Sequence, residues 1–233
     1  MTNADNIIKE LSLLATEEKQ RFLPRFFKTG KGQYGEGDIF LGVIVPHTRI
    51  IARKYADIDK SDILKLLNSE YHEVRLCALL IMVRKCQKGN DNVMREMFNM
   101  YLKHTDRINN WDLVDLSAPM IVGNYLVDKS HDILYRLAES KLLWNNRIAI
   151  VSTISFIRRN EFDDTYNLAL KMMNHPHDLI HKAIGWMLRE AGKRNPRRLY
   201  EFVDTYRTEM PRTMLRYAIE KFSKEEKKWL MRK

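Results

Sequence analysis

Three stretches of the chain read as copies of one helix: Val74-Arg75-Leu76-Cys77-Ala78, Asn146-Arg147-Ile148-Ala149-Ile150 and Ile180-His181-Lys182-Ala183-Ile184. Each leads to a basic cluster before a helix breaker: Arg84-Lys85, Arg158-Arg159 and Lys193-Arg194. Arg75 and Arg147 stand 72 residues apart, two periods of 36, with Trp111 at the midpoint. Lys182 follows 35 residues after Arg147, and Tyr217 another 35 after that. A two-helix unit of this length cannot bury its apolar face alone, so neighbouring units must stack to cover it. A tetratricopeptide array has a similar period, but its Trp/Leu-Gly/Tyr and Pro pattern is missing. The expected fold is all-α: a HEAT-like helical-repeat solenoid (an α-α superhelix) whose second helices line a concave basic groove. Residues 1–233 are read as a single domain of this kind.

The local pattern agrees. Apolar positions recur at helical spacing from Ile7 to Met231, interrupted at Gly89-Asn90, Asn160, Pro176, Asn195-Pro196 and Met210-Pro211. Only Ile39–Val45 alternates like a strand, and it is too isolated to build a sheet. Five of the nine glycines fall between Gly30 and Gly42. There Gly30-x-Gly32-x-x-Gly35 matches a dinucleotide-binding fingerprint in form only, because it follows a helical segment rather than a strand. It is read as a flexible loop that approaches DNA, with a plain connector as the alternative. Cys77 and Cys86 lie within one helix, which leaves no disulfide framework and no zinc ribbon. They read as reduced, buried thiols. His175-Pro-His177 and His181 lack the Cys or carboxylate company of a metal site and read as a turn and helix start. No metal or cofactor is expected. The C-terminal Lys-Glu-Glu-Lys-Lys-Trp229 segment reads as an amphipathic end cap, with Trp229 packed on the last repeat.

Charge narrows the choice of partner. Forty Lys and Arg against thirty Asp and Glu leave +10, which favours an anionic partner, nucleic acid first. Hydrophobic residues at 45% and charged residues at 30% suit a soluble globular chain. No apolar run approaches the ~20 residues of a membrane span, and the N-terminus lacks the pattern of a secretory signal. A cytoplasmic location, a monomeric state and no obligate protein partner are expected.

The repeat arithmetic places Arg75, Trp111, Arg147 and Lys182 on one ladder. Leu79, Asp115, Val151 and Trp186 lie one turn further along the same faces. Taken singly, each has a structural explanation: a Trp at helical spacing packs in a core, and an Asp near a helix start complements its positive end. Together, aromatic faces flanked by cations can hold a nucleic acid. Arg75, Lys182, Arg189, Lys193 and Arg158 are the expected DNA contacts. Asp115 is the exception, since a carboxylate repels phosphate and calls for a chemical reason. Hydrolysis of an N-glycosidic bond supplies one: an ionised carboxylate stabilises the oxocarbenium-like sugar and orients the attacking water. An arginine such as Arg147 nearby would hold Asp115 ionised. Indole faces attract a cationic alkylated base.

Asn110-Trp-Asp-Leu-Val-Asp115, Trp144-Asn-Asn-Arg147-Ile-Ala-Ile and Lys182-Ala-Ile-Gly-Trp186-Met-Leu-Arg-Glu190 resemble the AlkD-type DNA alkylation repair proteins. Phe40-Leu-Gly-Val-Ile-Val-Pro46-His-Thr-Arg49 resembles the N-terminal region of that family, and the likeness runs from about residue 20 to 222. The resemblance implies a HEAT-like-repeat glycosylase that removes cationic N3- and N7-alkylated purines from double-stranded DNA. It implies Asp115 as catalytic carboxylate, Trp111 and Trp186 against the sugar of the damaged nucleotide, and Arg147 supporting the site and holding backbone. It also implies action without burying the damaged base in a pocket, and an abasic product without strand cleavage. The chain departs from the family pattern at Phe26, where relatives carry Tyr, and at Ile44, where they carry Gln. The Gly30–Asp38 loop reads as an insertion. Two other readings stand beside this one: a non-catalytic HEAT-like protein that binds bent, branched or damaged DNA, and a protein-interaction scaffold.

Overall fold

Helix follows helix from Asn3 to Leu230 in the computed structural model, which describes residues 2–232. The described residues form no β-strand, and Ile39–Val45 contributes only an isolated parallel bridge between Ile39 and Tyr71. The chain is all-α, as the repeat and the helical spacing require. Helix starts carry side-chain caps where the sequence offers them. Thr2 with Asp5 and Ser223 with Glu226 form capping boxes, and Asn90 and Asn195 each accept a first-turn N–H. Among the described residues, no helix is long and apolar enough to cross a membrane.

Two compact units divide the chain, Met1–Ile121 and Val122–Lys233. In the first, the helix His72–Lys88 is the centre. Every residue from His72 to Val83 is buried, and the helices Val45–Lys54, Lys60–Leu67 and Asp91–Lys103 pack around it. A helix buried on all sides has no solvent face, so its polar residues must find partners inside the protein. Cys77 and Cys86 lie on this helix as free thiols, and burial pushes both up to about 12, which leaves them unreactive at neutral pH.

In the second unit Asp132–Ala138 pairs with Leu143–Ser152, and Asp163–Lys171 with Asp178–Gly192. Asn146 closes the first pair, its amide donating to the carbonyls of Leu137, Ala138 and Ser140 at 2.9–3.0 Å. Asp178–Gly192 crosses Arg212–Ala218 closely: a Cβ on Gly185 would lie 2.5 Å from the Tyr217 side chain and 2.6 Å from the Met214 carbonyl. At the C-terminal end Leu230 is buried, whereas Trp229 is 43% exposed. Trp229 binds Asp204 through Nε1 at 3.1 Å, with the Arg207 and Arg232 guanidinium groups over its ring. The end cap is there, but its buried anchor is Leu230 rather than the tryptophan.

Candidate functional site

The helix Trp111–Asp115 is five residues long and opens on a buried Asn110, whose Oδ1 accepts the Trp111 N–H at 2.9 Å. Residues i and i+4 share a helix face, so Trp111 and Asp115 line the same cavity of about 420 Å³ in the first unit. Its remaining walls are almost wholly apolar and come from Phe22, Phe26, Phe27, Phe40, Ile44 and Leu76 among others. Phe27 stacks on Trp111 with ring centres 5.2 Å apart and on Phe40 at 5.1 Å. Phe26 meets Trp111 edge-on at 5.9 Å and stacks on Phe22 at 5.8 Å. Phe22, Phe26 and Ile44 are exposed at the rim. Phe26 and Ile44, where the resemblance led to an expectation of Tyr and Gln, therefore both fall on this rim and make it apolar.

Two buried carboxylates build the wall. Glu73 accepts three backbone N–H groups, from Leu41 at 2.9 Å, Gly42 at 2.9 Å and Val43 at 3.1 Å. It thereby fixes the irregular segment that carries Phe40 and Ile44. Gly42 sits at φ 97°, and a Cβ there would lie 2.5 Å from the Thr16 carbonyl, so only glycine lets this segment lie against the helix Glu17–Phe26. Asp38 is the second carboxylate. It ends the Gly30–Gly37 loop and accepts from His72 Nδ1 at 2.9 Å, Asn109 Nδ2 at 3.2 Å, Asn110 Nδ2 at 3.5 Å and the Arg75 guanidinium. The other ring nitrogen of His72 lies 2.9 Å from Asp112 Oδ2. Burial alone would depress the His72 pKa, but Asp112 and then Asp38 outweigh it and raise the imidazole to about 9. For Asp38, burial is outweighed by His72 and Arg75, which hold its carboxyl below the usual range.

Arg75 corrects the repeat arithmetic. Expected on a groove, it is 2% exposed, and its guanidinium binds Asp38, Asn109 Oδ1 and the carbonyls of Ser69 and Glu70. The physical reason is the burial of His72–Val83 on all sides, which leaves no solvent face for a cation at that position. Arg75 is a structural clamp, with its guanidinium turned inward.

The other expected residues lie in the second unit. Arg147 is buried and donates through Nη1 to the Leu179 carbonyl at 2.7 Å, tying Leu143–Ser152 to the first turn of Asp178–Gly192. Lys182 pairs with Asp178 at 2.7 Å, and Trp186 is half-buried on the same helix. Arg189 pairs with Glu220, and Lys193 with Glu190 at 2.7 Å. Arg158 is exposed at the C-terminus of Ile154–Ile157. His175 contacts Asn146 Oδ1 at 3.1 Å and takes the His177 backbone N–H, as the turn reading expects. Among the described residues no group of three or more His, Cys, Asp or Glu side chains is placed to hold a metal ion.

Sequence reasoning missed Asp38, His72, Glu73, Asp112 and the Phe22, Phe27 and Phe40 walls. One signal was available: His72-Glu73-Val-Arg75 sets three charged or titratable residues in a helix that is otherwise apolar up to Val83. Their partners come from elsewhere in the chain and carry no local mark.

The model of a family described as DNA alkylation repair enzyme matches residues 7–222. No curated protein matches the chain significantly. Among solved structures, a protein described as a predicted DNA alkylation repair enzyme from Enterococcus faecalis is similar, with a TM-score of 0.69 and 15% identity. The match covers 90% of this chain and 97% of that one, and at this identity it speaks for the fold.

Proposed function

The chain belongs to the DNA alkylation repair enzyme family, and on that premise we propose that it is a monofunctional DNA glycosylase. Its substrate is double-stranded DNA bearing cationic N3- or N7-alkylated purines, and it hydrolyses the N-glycosidic bond of the damaged nucleotide. The observation that carries this reading is the pairing of Asp115 with Trp111 on one cavity wall, backed by Phe26 and Phe27. An alkylated purine already carries positive charge on the base, so its glycosidic bond is weakened before any enzyme acts. As that bond breaks, positive charge passes to the sugar. The Asp115 carboxylate stabilises this cation and orients the water that attacks it. Aromatic faces favour the cationic base through their quadrupole. The proposal assigns Trp111 and Trp186 to the sugar of the damaged nucleotide and Arg147 to support of the site. It assigns DNA contact to Lys182, Arg189, Lys193 and Arg158. The product is an abasic site in an unbroken strand, with no metal or cofactor taking part.

Incubation with methylated duplex DNA tests the proposal, with released 3-methyladenine and 7-methylguanine measured by chromatography. Release by the native chain and its loss in Asp115→Asn, with DNA binding kept, is the expected result. Undiminished release from Asp115→Asn removes the catalytic assignment. DNA binding without any release by the native chain turns the reading into that of a non-catalytic DNA-binding protein.

A further inference from the structure

His72 lies buried between two carboxylates, with Nδ1 2.9 Å from Asp38 Oδ2 and Nε2 2.9 Å from Asp112 Oδ2. A carboxylate accepts hydrogen bonds and does not donate them. Both contacts are therefore satisfied together only when both ring nitrogens carry protons, which makes His72 an imidazolium. Phe27 and Phe40 cover its ring at 4.9 and 4.5 Å and keep water away. Arg75, on the same helix, donates to the second oxygen of Asp38. Two anions and two cations thus balance in one dry cluster. The other charged groups on the elements packed here are turned elsewhere. Glu73 faces the Leu41, Gly42 and Val43 amides, and Arg107 faces the carbonyls of Leu67, Asn68 and Ser69. Asp115 stands at the far end of the short helix.

The cluster grips the chain where that helix begins. Asp38 holds Asn109 and Asn110, Asn110 caps Trp111, and His72 holds Asp112. Asp112 Oδ1 has no hydrogen-bond partner among the described residues, so His72 is the side chain that anchors this carboxylate. Five residues are too few to hold a helix by themselves. The direction of Asp115 at the last position therefore depends on how the first turn is held, together with Ser117 beyond it, whose hydroxyl donates to the Leu113 carbonyl.

We propose that Asp38, His72 and Asp112 form a positioning relay that sets Trp111 and Asp115, and that the Gly30–Gly37 loop serves to deliver Asp38 to it. The relay rests on the reading of Asp115 as the catalytic carboxylate and acts through the helix rather than on the reacting atoms. Neutral imidazole has one N–H and can serve only one of the two carboxylates, so the relay comes apart in alkali. Asp112→Asn rewires it: the new amide donates to the Nε2 lone pair, and neutral His72 keeps Nδ1–H for Asp38.

The test uses the full-length chain and methylated duplex DNA. Single-turnover release of 3-methyladenine is followed from about pH 6 to about pH 10 against a protein-free blank, with DNA affinity measured in parallel. The native rate is expected to fall through a limb near pH 9, and Asp112→Asn to lose that limb. His72→Gln is expected to slow release by about ten-fold or more at neutral pH while DNA affinity stays within about three-fold. A His72→Gln rate within about two-fold of native, or the same alkaline limb in Asp112→Asn, overturns the relay. Should His72→Gln fail to fold, the Asp112→Asn profile decides. Should the native chain release no base, the functional reading fails, and the relay is read from the ring ¹³C–H resonance of Trp111, assigned with Trp111→Phe. That resonance is expected to titrate near pH 9 in the native chain and to stay constant in Asp112→Asn. Constancy in the native chain overturns the relay independently of catalysis.

Discussion

His72 and Asp112 stand 40 residues apart in sequence and meet, both buried, at 2.9 Å between Nε2 and Oδ2. Through this contact the central helix of the first unit takes hold of the helix that carries Trp111 and Asp115. The arrangement joins stability and the candidate chemistry in one cluster, and it makes both sensitive to the same proton.

Stability should fall as the solution becomes alkaline. The folded pKa of His72 is raised from 6.5 to about 9, so the folded state binds this proton more tightly than the unfolded one. The resulting stabilisation is fully present below about pH 6.5 and is lost as pH rises through about 9. Urea denaturation at pH 6.5, 8 and 9.5 should show a falling midpoint in the native chain. The fall should be absent from Asp112→Asn. Asp38 acts in the opposite direction: its lowered pKa supplies stability above the ordinary carboxylate value that is lost as pH drops through the folded one.

Glu73 should matter more for folding than for DNA contact. Removing its carboxylate in Glu73→Ala leaves the amides of Leu41, Gly42 and Val43 without their acceptor. An orphaned buried amide costs roughly 1–3 kcal/mol, so a loss of about 3 kcal/mol or more is expected. Glu73→Gln keeps one carbonyl acceptor and should lose about half as much. Chemical denaturation measures both, and equal stability of Glu73→Ala and the native chain would remove the carboxylate from its place in the fold.

Arg75 distinguishes a clamp from a phosphate contact. Arg75→Ala leaves Asp38 facing only His72 and two amides, and should destabilise by about 3–5 kcal/mol. The slope of log K against log salt for DNA binding by the folded variant should stay that of the native chain, since no phosphate contact is lost. Lys182→Ala should reduce that slope by about one contact with little change in stability. A native-like stability with a reduced slope in Arg75→Ala would return this residue to the DNA surface.

Phe26 is the place to change DNA grip without touching the fold. It is half exposed at the cavity rim against Trp111 and Phe22. Phe26→Tyr adds a hydroxyl at that rim, and stability should stay within about 0.5 kcal/mol. Affinity for duplex DNA, measured by fluorescence anisotropy, should tighten if the hydroxyl finds a phosphate. Unchanged affinity would show that this rim stays clear of the backbone.

The helical order of the chain was legible because helical periodicity is a local property. Apolar spacing announced helix after helix, and stops such as Gly89-Asn90 and Asn195-Pro196 fall where His72–Lys88 ends and Pro196–Tyr206 begins. Trp111 with Asp115 on one face was equally legible, being a matter of four positions on one helix. Arg75 was misread by the same arithmetic, because a repeat places a residue on a helix face but does not reveal whether that face meets solvent. Which charges are consumed internally depends on partners 30 to 72 residues away, as in the contacts of Glu73 with Val43 and of Asp38 with Asn110. A loop of glycines read as approaching DNA ends in the carboxylate that organises the cluster, and nothing in its own composition says so. The sequence by itself determined a stack of short helices, a basic surplus and one carboxylate among aromatic residues. Only the tertiary structure decided that His72, Asp38 and Arg75 serve the interior, because burial is set by what packs against a helix and not by the helix itself.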